Sequence, residues 1–302
     1  MATYYKPSNK FSFSGFPHFL AGLLLLVPLL GVAYAYLLWY IPLIYINLIV
    51  CLGFGGVVGY LMSQIVQRGK VRNKFIALSF GLIAGVFALY CQWVVWIDLV
   101  LNAGQNYGND HIGITVSNIS TNQTWMLFQA PSAVWAFIKA VNEVGTWGIR
   151  GATVSGIFLA IIWAIEAIVI VGMAMVFPLA KAGKPFCETG NEWANEVELP
   201  ATGYIQDPAG FKSDLENDKA GVLASLEKGE NTASHSMLTV YECPASNQYY
   251  VSATNKVAGR DKDGKLEFKD TLIFDYLSVN PEEGKLLLAG VNSPQSVNLQ
   301  PE

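Results

Sequence analysis

Residues 153–177 read TVSGIFLAIIWAIEAIVIVGMAMVF, a run of 25 residues whose single ionisable side chain, Glu166, stands at its centre. At about 1.5 Å of rise per residue, a helix of this length crosses the ~30 Å hydrocarbon core of a bilayer with some tilt to spare. A bare carboxylate at the midplane costs on the order of several kcal/mol, so Glu166 requires a partner, a proton or a water-filled cavity. Before this run the sequence is repeatedly apolar; after it the sequence turns polar and acidic.

Composition repeats that division. Hydrophobic residues make up 52% of the 302 and charged residues 14%, both far from the soluble average. Up to Lys184 the chain carries ten Lys/Arg and four Asp/Glu, and beyond it nine against nineteen, for net charges of +6 and -10. Three further spans are predicted at about 19–40, 43–66 and 75–101, with 153–177 as the fourth. The expected fold class is an α-helical membrane protein: four transmembrane helices within residues 1–183, an outer loop over 102–151, and a small C-terminal α+β soluble domain over 184–302. Pro28 interrupts the first span, and Trp39, Tyr40 and Pro42 mark a boundary turn. That span starts too late, and runs too directly into the second, to read as a removable signal peptide.

Orientation rests on QRGKVRNK, residues 67–74, whose Arg68, Lys70, Arg72 and Lys74 form the densest basic cluster beside any span and are expected to face the cytoplasm. Four spans put Lys6, Lys10, Lys181 and Lys184 on the same side and leave Lys139 and Arg150 opposite. The expected localisation is the inner or plasma membrane, multi-pass, with both termini cytoplasmic.

Two small-residue spacings, Gly55-x-x-x-Gly59 and Gly81-x-x-x-Gly85, permit close helix approach in the second and third spans. In the outer loop, Val134, Phe137, Ile138, Val141 and Val144 follow helical spacing, which predicts a helix that lies in the interface or packs on the bundle as a lid. In the tail, Ser213-Asp-Leu-Glu216 reads as a capping box opening a helix with Leu215, Val222, Leu223 and Leu226 on one side and Gly229 as its stop. Strands are predicted at 237–242, 249–254, 266–279 and 285–291, with a hairpin turn at Asp263-Gly264. An antiparallel meander with one helix is the expected tail fold.

Glu166 is the leading site residue, with Tyr34 and Gln92 as polar neighbours near its depth. It reads as a protonated packing element, a proton or cation relay, or a contact for another subunit. Asp98 reads as a solvated helix-end residue. Cys51 and Cys91 lie inside apolar runs, and no disulfide framework is suggested. Cys187-x-x-Gly190 and Cys243-Pro-x-Ser246 look paired; they resemble zinc-ribbon or rubredoxin-like knuckles in which Gly190 and Ser246 replace the second ligands. That resemblance, about eight residues at each place, implies a degenerate knuckle without its metal. Two unrelated cysteines in a reducing compartment are the alternative. Too few ligands are present for a structural zinc, and no cofactor is expected.

No phosphate loop, dinucleotide fingerprint, nucleophile elbow or His-Glu-x-x-His occurs, which disfavours an enzyme. The acidic tail disfavours nucleic acid. The expected function is a membrane anchor or subunit, in contact with membrane lipid, that presents a cytoplasmic protein-binding domain to a protein partner or a second copy. The alternative is a small oligomeric transporter or channel component that uses Glu166.

Overall fold

The computed structural model describes residues 3–41, 44–108, 113–145, 147–149, 152–217, 221–223 and 225–292. Pro42, Leu43, Asp110 and Arg150, used above for a turn, a span start and the charge count, lie outside these residues. The chain divides into two units, one of residues 9–183 and one of residues 1–8 with 184–302.

The first unit holds four helices long and apolar enough to cross a membrane: α1 (Gly15–Tyr40), α2 (Ile44–Arg68), α3 (Lys74–Leu101) and α6 (Gly156–Gly183). In α1 a π turn, Gly22–Leu26, immediately precedes Pro28, whose ring and missing N–H disturb regular i to i-4 bonding. Asn73 caps α3, its side chain accepting from the N–H groups of Phe75 and Ile76. Helix α6 starts three residues later than the apolar run and continues through Pro178 to Gly183, because residues 152–154 pair as a strand instead.

All four glycines of the two small-residue spacings back onto α6. A Cβ on Gly55 would lie 2.9 Å from the Ile170 Cα, and on Gly59 2.5 Å from the Met173 oxygen. On Gly81 it would fall 2.4 Å from the Ala174 oxygen, and on Gly85 3.0 Å from the Val171 Cα. These approaches let backbones of α2 and α3 touch α6 directly, the arrangement that favours dispersion contacts where no hydrophobic drive exists between helices.

The described residues between 102 and 155 form a structured cap on one end of the bundle, hereafter the cap end. Hairpin β1 (Asn106–Gly108) with β2 (Gly113–Thr115) leads to α4 (Thr121–Phe128) and α5 (Pro131–Val144), then to hairpin β3 (Trp147–Ile149) with β4 (Ala152–Val154). Val134 of α5 is buried with Val94 and Ile97 of α3, and Tyr90, Leu127, Phe128 and Ile138 close around them. Thus α5 packs on the bundle as a lid, while Trp125, Met126 and Trp135 are exposed. Trp39 donates to the Thr115 carbonyl at 2.8 Å and Ser117 to the Leu99 carbonyl at 2.6 Å, tying the cap to α1 and α3.

Asp98 is no solvated end residue: it is fully buried. Its Oδ2 accepts from the Ser120 N–H at 2.7 Å and the Thr124 hydroxyl at 3.0 Å, and its Oδ1 from the Asn102 amide at 3.2 Å. Ser120 makes no side-chain cap of its own, so a carboxylate from α3 satisfies the N-terminus of α4 across the fold.

In the second unit, β9 (His235–Cys243), β10 (Gln248–Arg260) and β11 (Leu266–Val279) form an antiparallel meander. Strands β7 (Asn195–Glu198) and β8 (Thr202–Gly203) flank β9, and β5 (Phe186–Cys187) pairs separately with β6 (Glu192–Trp193). The core gathers Leu199, Leu215, Leu238, Val240, Val251 and Phe274, with Tyr4, Phe211, Leu287 and Leu288 packed against it. Ser236, Asn255 and Ile205 share a buried hydrogen-bonded network, which lets the loop after β8 lie on the sheet without orphaned polar groups.

Three tail expectations change. The helix α7 is Pro208–Glu216, opened by Asp207 and a proline in its first turn, so Ser213 lies inside it and opens nothing. Gly229 is no helix stop; its N–H donates to the Ala201 carbonyl, and a Cβ there would fall 2.2 Å from the Thr202 oxygen. The predicted strand at 285–291 is helix α8 (Pro281–Asn292), started by the Asn280 side chain accepting from the Glu282 N–H. Residues 3–5, assigned above to the membrane half, pair with β11: Tyr4 bridges Leu277, and Tyr5 donates to the Tyr276 carbonyl.

Candidate functional site

Glu166 sits ten residues from the cap end of α6 and seventeen from the other end, about 15 Å and 25 Å along the axis. Its side chain is half-buried. From α1 comes Tyr34, stacked on Phe54 of α2 with ring centroids 4.2 Å apart. From α2 comes Cys51, fully buried, whose thiol points to the Glu166 carbonyl at 3.7 Å. Tyr34 and Cys51 both lie within electrostatic reach of the Glu166 carboxyl. The structure therefore gathers Glu166 and Tyr34, adds Cys51, and places Gln92 on another seam. There Gln92 is buried where Gly31 of α1 backs onto Cys91 and Gln92 of α3. Cys51 escaped the sequence reading because a thiol in an apolar run is indistinguishable from a small hydrophobe.

Nearer the cap end, the same helix borders a cavity of about 440 Å³. Its floor is Trp93 of α3 with Ala160, Trp163 and Ala164 of α6, and the two indoles meet edge to face at 4.9 Å. Its other wall is one face of α5, where Trp135, Ile138, Lys139, Asn142 and Glu143 recur at i, i+3, i+4, i+7 and i+8. The Asn142 amide donates to the Gly156 carbonyl at 2.9 Å and fixes α5 to the first turn of α6. Sequence reading missed this site because periodicity picked out the apolar face of α5, and the cavity lies along an adjacent, mixed face.

In the tail, the segments around Cys187 and Cys243 come together. The two cysteines, both buried, are joined in a disulfide with Cα atoms 5.4 Å apart. A Cβ on Gly190 would stand 3.0 Å from the Ala245 Cβ, and Ser246 hydrogen-bonds Gln248. The absence of a disulfide in the sequence reading is thus corrected: β5 and the end of β9 bring thiols 56 residues apart within bonding geometry. Among the described residues no cluster of three His, Cys, Asp or Glu could hold a metal ion.

Beside the sheet, Tyr241 packs edge to face on Tyr276, and Tyr5 meets both Tyr250 and Tyr276. Burial, reinforced by Glu196, raises the Tyr241 phenol well above its ordinary value. Burial together with Asp275 and Glu196 pushes Tyr276 up to about 12. Both phenols stay neutral, Tyr241 buried and Tyr276 half-buried on the sheet. Tyr241 donates to the Glu196 carboxylate at 3.3 Å.

No known protein family, curated protein or solved structure matches this chain.

Proposed function

We propose that this chain is an integral membrane protein whose four apolar helices anchor a protein-binding domain, with the basic 67–74 loop and the tail on the cytoplasmic side. The observation that carries the reading is the outer edge of β11. Strand β11 ends the sheet order, and residues 3–5 pair with its outer side at Tyr276, Leu277 and Ser278, at the end of the strand away from Leu266 and Leu272. Leu266 and Leu272 on this strand are 42% and 60% exposed. An unpaired edge with exposed apolar side chains is a template for strand addition by a partner, while Glu267, Lys269 and Asp270 along it disfavour indiscriminate pairing.

A photo-crosslinking residue at Leu272, in the full chain in its own membranes, tests this. One discrete adduct is expected, absent when the same probe stands at exposed Asn231 and lost when Asp270→Pro removes a donor from the free edge, where alternate residues of β11 face away from β10. Identical adducts from both positions, or none, would overturn the reading. Orientation has its own test in the cysteines. The Cys187–Cys243 bond counts against a cytoplasmic tail, because disulfides persist in oxidising compartments, and it supplies the test: on denaturation of intact cells a cytoplasmic tail yields thiols that alkylate, whereas an external tail yields the disulfide and overturns this orientation.

The gathering of Tyr34 and Cys51 about Glu166 favours a second reading, transport of protons or cations. Glu166→Gln then abolishes pH-dependent flux in proteoliposomes, and wild-type protein that shows no flux removes this reading.

A further inference from the structure

The geometry points to a binding site for one zwitterionic phospholipid in the cavity between α3, α5 and α6, with an acyl chain over the tryptophan floor and the headgroup between Lys139 and Glu143. It rests on membrane insertion of the bundle and not on the role of the tail.

Three observations converge. The first is depth. Trp163 lies seven residues from the cap end of α6 and Trp93 eight from that of α3, about 10–12 Å inward along helices some 42 Å long. Helices of that length overrun the ~30 Å hydrocarbon core by several ångströms at each end. The floor therefore falls at the top of the acyl region and α5 at headgroup level, where indoles are at home. The second is size and shape. A cavity of about 440 Å³ is within the ~300–1,000 Å³ of ligand pockets, and it exists because Ala160 and Ala164 carry only methyl groups where larger residues would fill it.

The third is charge. Lys139 and Glu143 stand four residues apart on one helix face, a spacing at which opposite charges ordinarily pair. Both are exposed, both line the cavity, and neither forms an ion pair among the described residues. A cation and an anion presented side by side complement a phosphate and an ammonium joined in one headgroup, and the nearby indole faces add cation–π attraction for the ammonium. An anionic lipid would satisfy Lys139 and leave Glu143 repelled.

Native mass spectrometry of the full chain, delipidated in detergent and titrated with dioleoyl lipids, tests the site. One equivalent of phosphatidylcholine or phosphatidylethanolamine is expected to be retained at least tenfold better than phosphatidylglycerol. Lys139→Ala and Glu143→Ala, both at exposed positions, should each cut retention tenfold or more, and Ala164→Phe should abolish it. Equal retention of phosphatidylglycerol, no retained lipid, or indifference to Ala164→Phe in a variant with unchanged helical circular dichroism would overturn the proposal. Alkaline carbonate extraction of the same expressed membranes separates the two failures: protein released by carbonate overturns insertion itself, whereas protein that stays and binds no lipid overturns the site alone.

Discussion

Replacing both Cys187 and Cys243 with alanine removes the crosslink without leaving a lone thiol or a buried hydroxyl. The bond spans 56 residues, and the chain-entropy relation for a loop of that size gives about 4 kcal/mol of stabilisation through the unfolded state. Spread over a tail of roughly 120 residues, at about 2.1 cal/mol/K of unfolding entropy per residue, this corresponds to a fall in Tm of about 15 °C. Thermal proteolysis of the full chain in detergent, scored by a tag after Glu302, reads the tail directly. Oxidised wild type should resist to a temperature about 15 °C higher than the double alanine variant, and wild type treated with a phosphine reductant should match the variant. Midpoints within about 3 °C of one another in all three samples would refute the reasoning, because the crosslink would then constrain nothing.

Asp98→Ala should leave the α4 N-terminus without its acceptor; a loss of about 1–2 kcal/mol is expected to appear as faster proteolysis within residues 116–130, with α1 to α3 still protected. Gly81→Leu forces a side chain into the Ala174 backbone; overpacking of this kind costs about 1–3 kcal/mol, and the variant should unfold at lower denaturant concentration in detergent than Gly53→Leu, whose site is open. Tyr241 and Tyr276 make the tail sensitive to alkali. Below pH 10, their ordinary value, both phenols are neutral folded or unfolded; above it the unfolded chain ionises first, so their contribution drains away as pH climbs through about 12. The share of the tyrosinate absorbance that Tyr241→Phe and Tyr276→Phe remove should rise late and together with loss of the tail's β circular dichroism. That share rising near pH 10 with the fold intact would contradict the reasoning.

The four apolar helices were legible because each is a long run in which one physical demand, satisfying the backbone without water, dominates every residue. Gly55, Gly59, Gly81 and Gly85 were legible as places of close approach, although their spacing does not say which helix approaches. That all four meet α6 is a property of the bundle. In the tail, the meander strands from His235 to Val279 announced themselves by β-branched and aromatic residues between turns. Residues 285–291 did not, since Lys-Leu-Leu-Leu-Ala suits either periodicity and the deciding signal was Asn280-Pro281-Glu282-Glu283 just upstream. Ser213 misled for the opposite reason: a four-residue capping pattern recurs by chance, whereas Asp207-Pro208 fixes both a side-chain acceptor and φ. The lipid cavity was illegible, because Trp93, Trp135 and Trp163 belong to three helices and only tertiary packing brings them together. Asp98 likewise shows its role only when α4 is laid against it.

Tyr4 pairs with Leu277, and its hydroxyl donates to Glu216 at 2.6 Å. This contact imposes an order on synthesis. Residues 3–5 complete a domain that is translated after them, so this short segment waits, unpaired, until the strand from Leu266 to Val279 has been made. In the membrane arrangement proposed above, the pairing forms only when residues 3–5 and the tail have arrived in the same compartment. An odd number of inserted helices between them would hold the two segments apart, so on that proposal the pairing registers that insertion has been carried through.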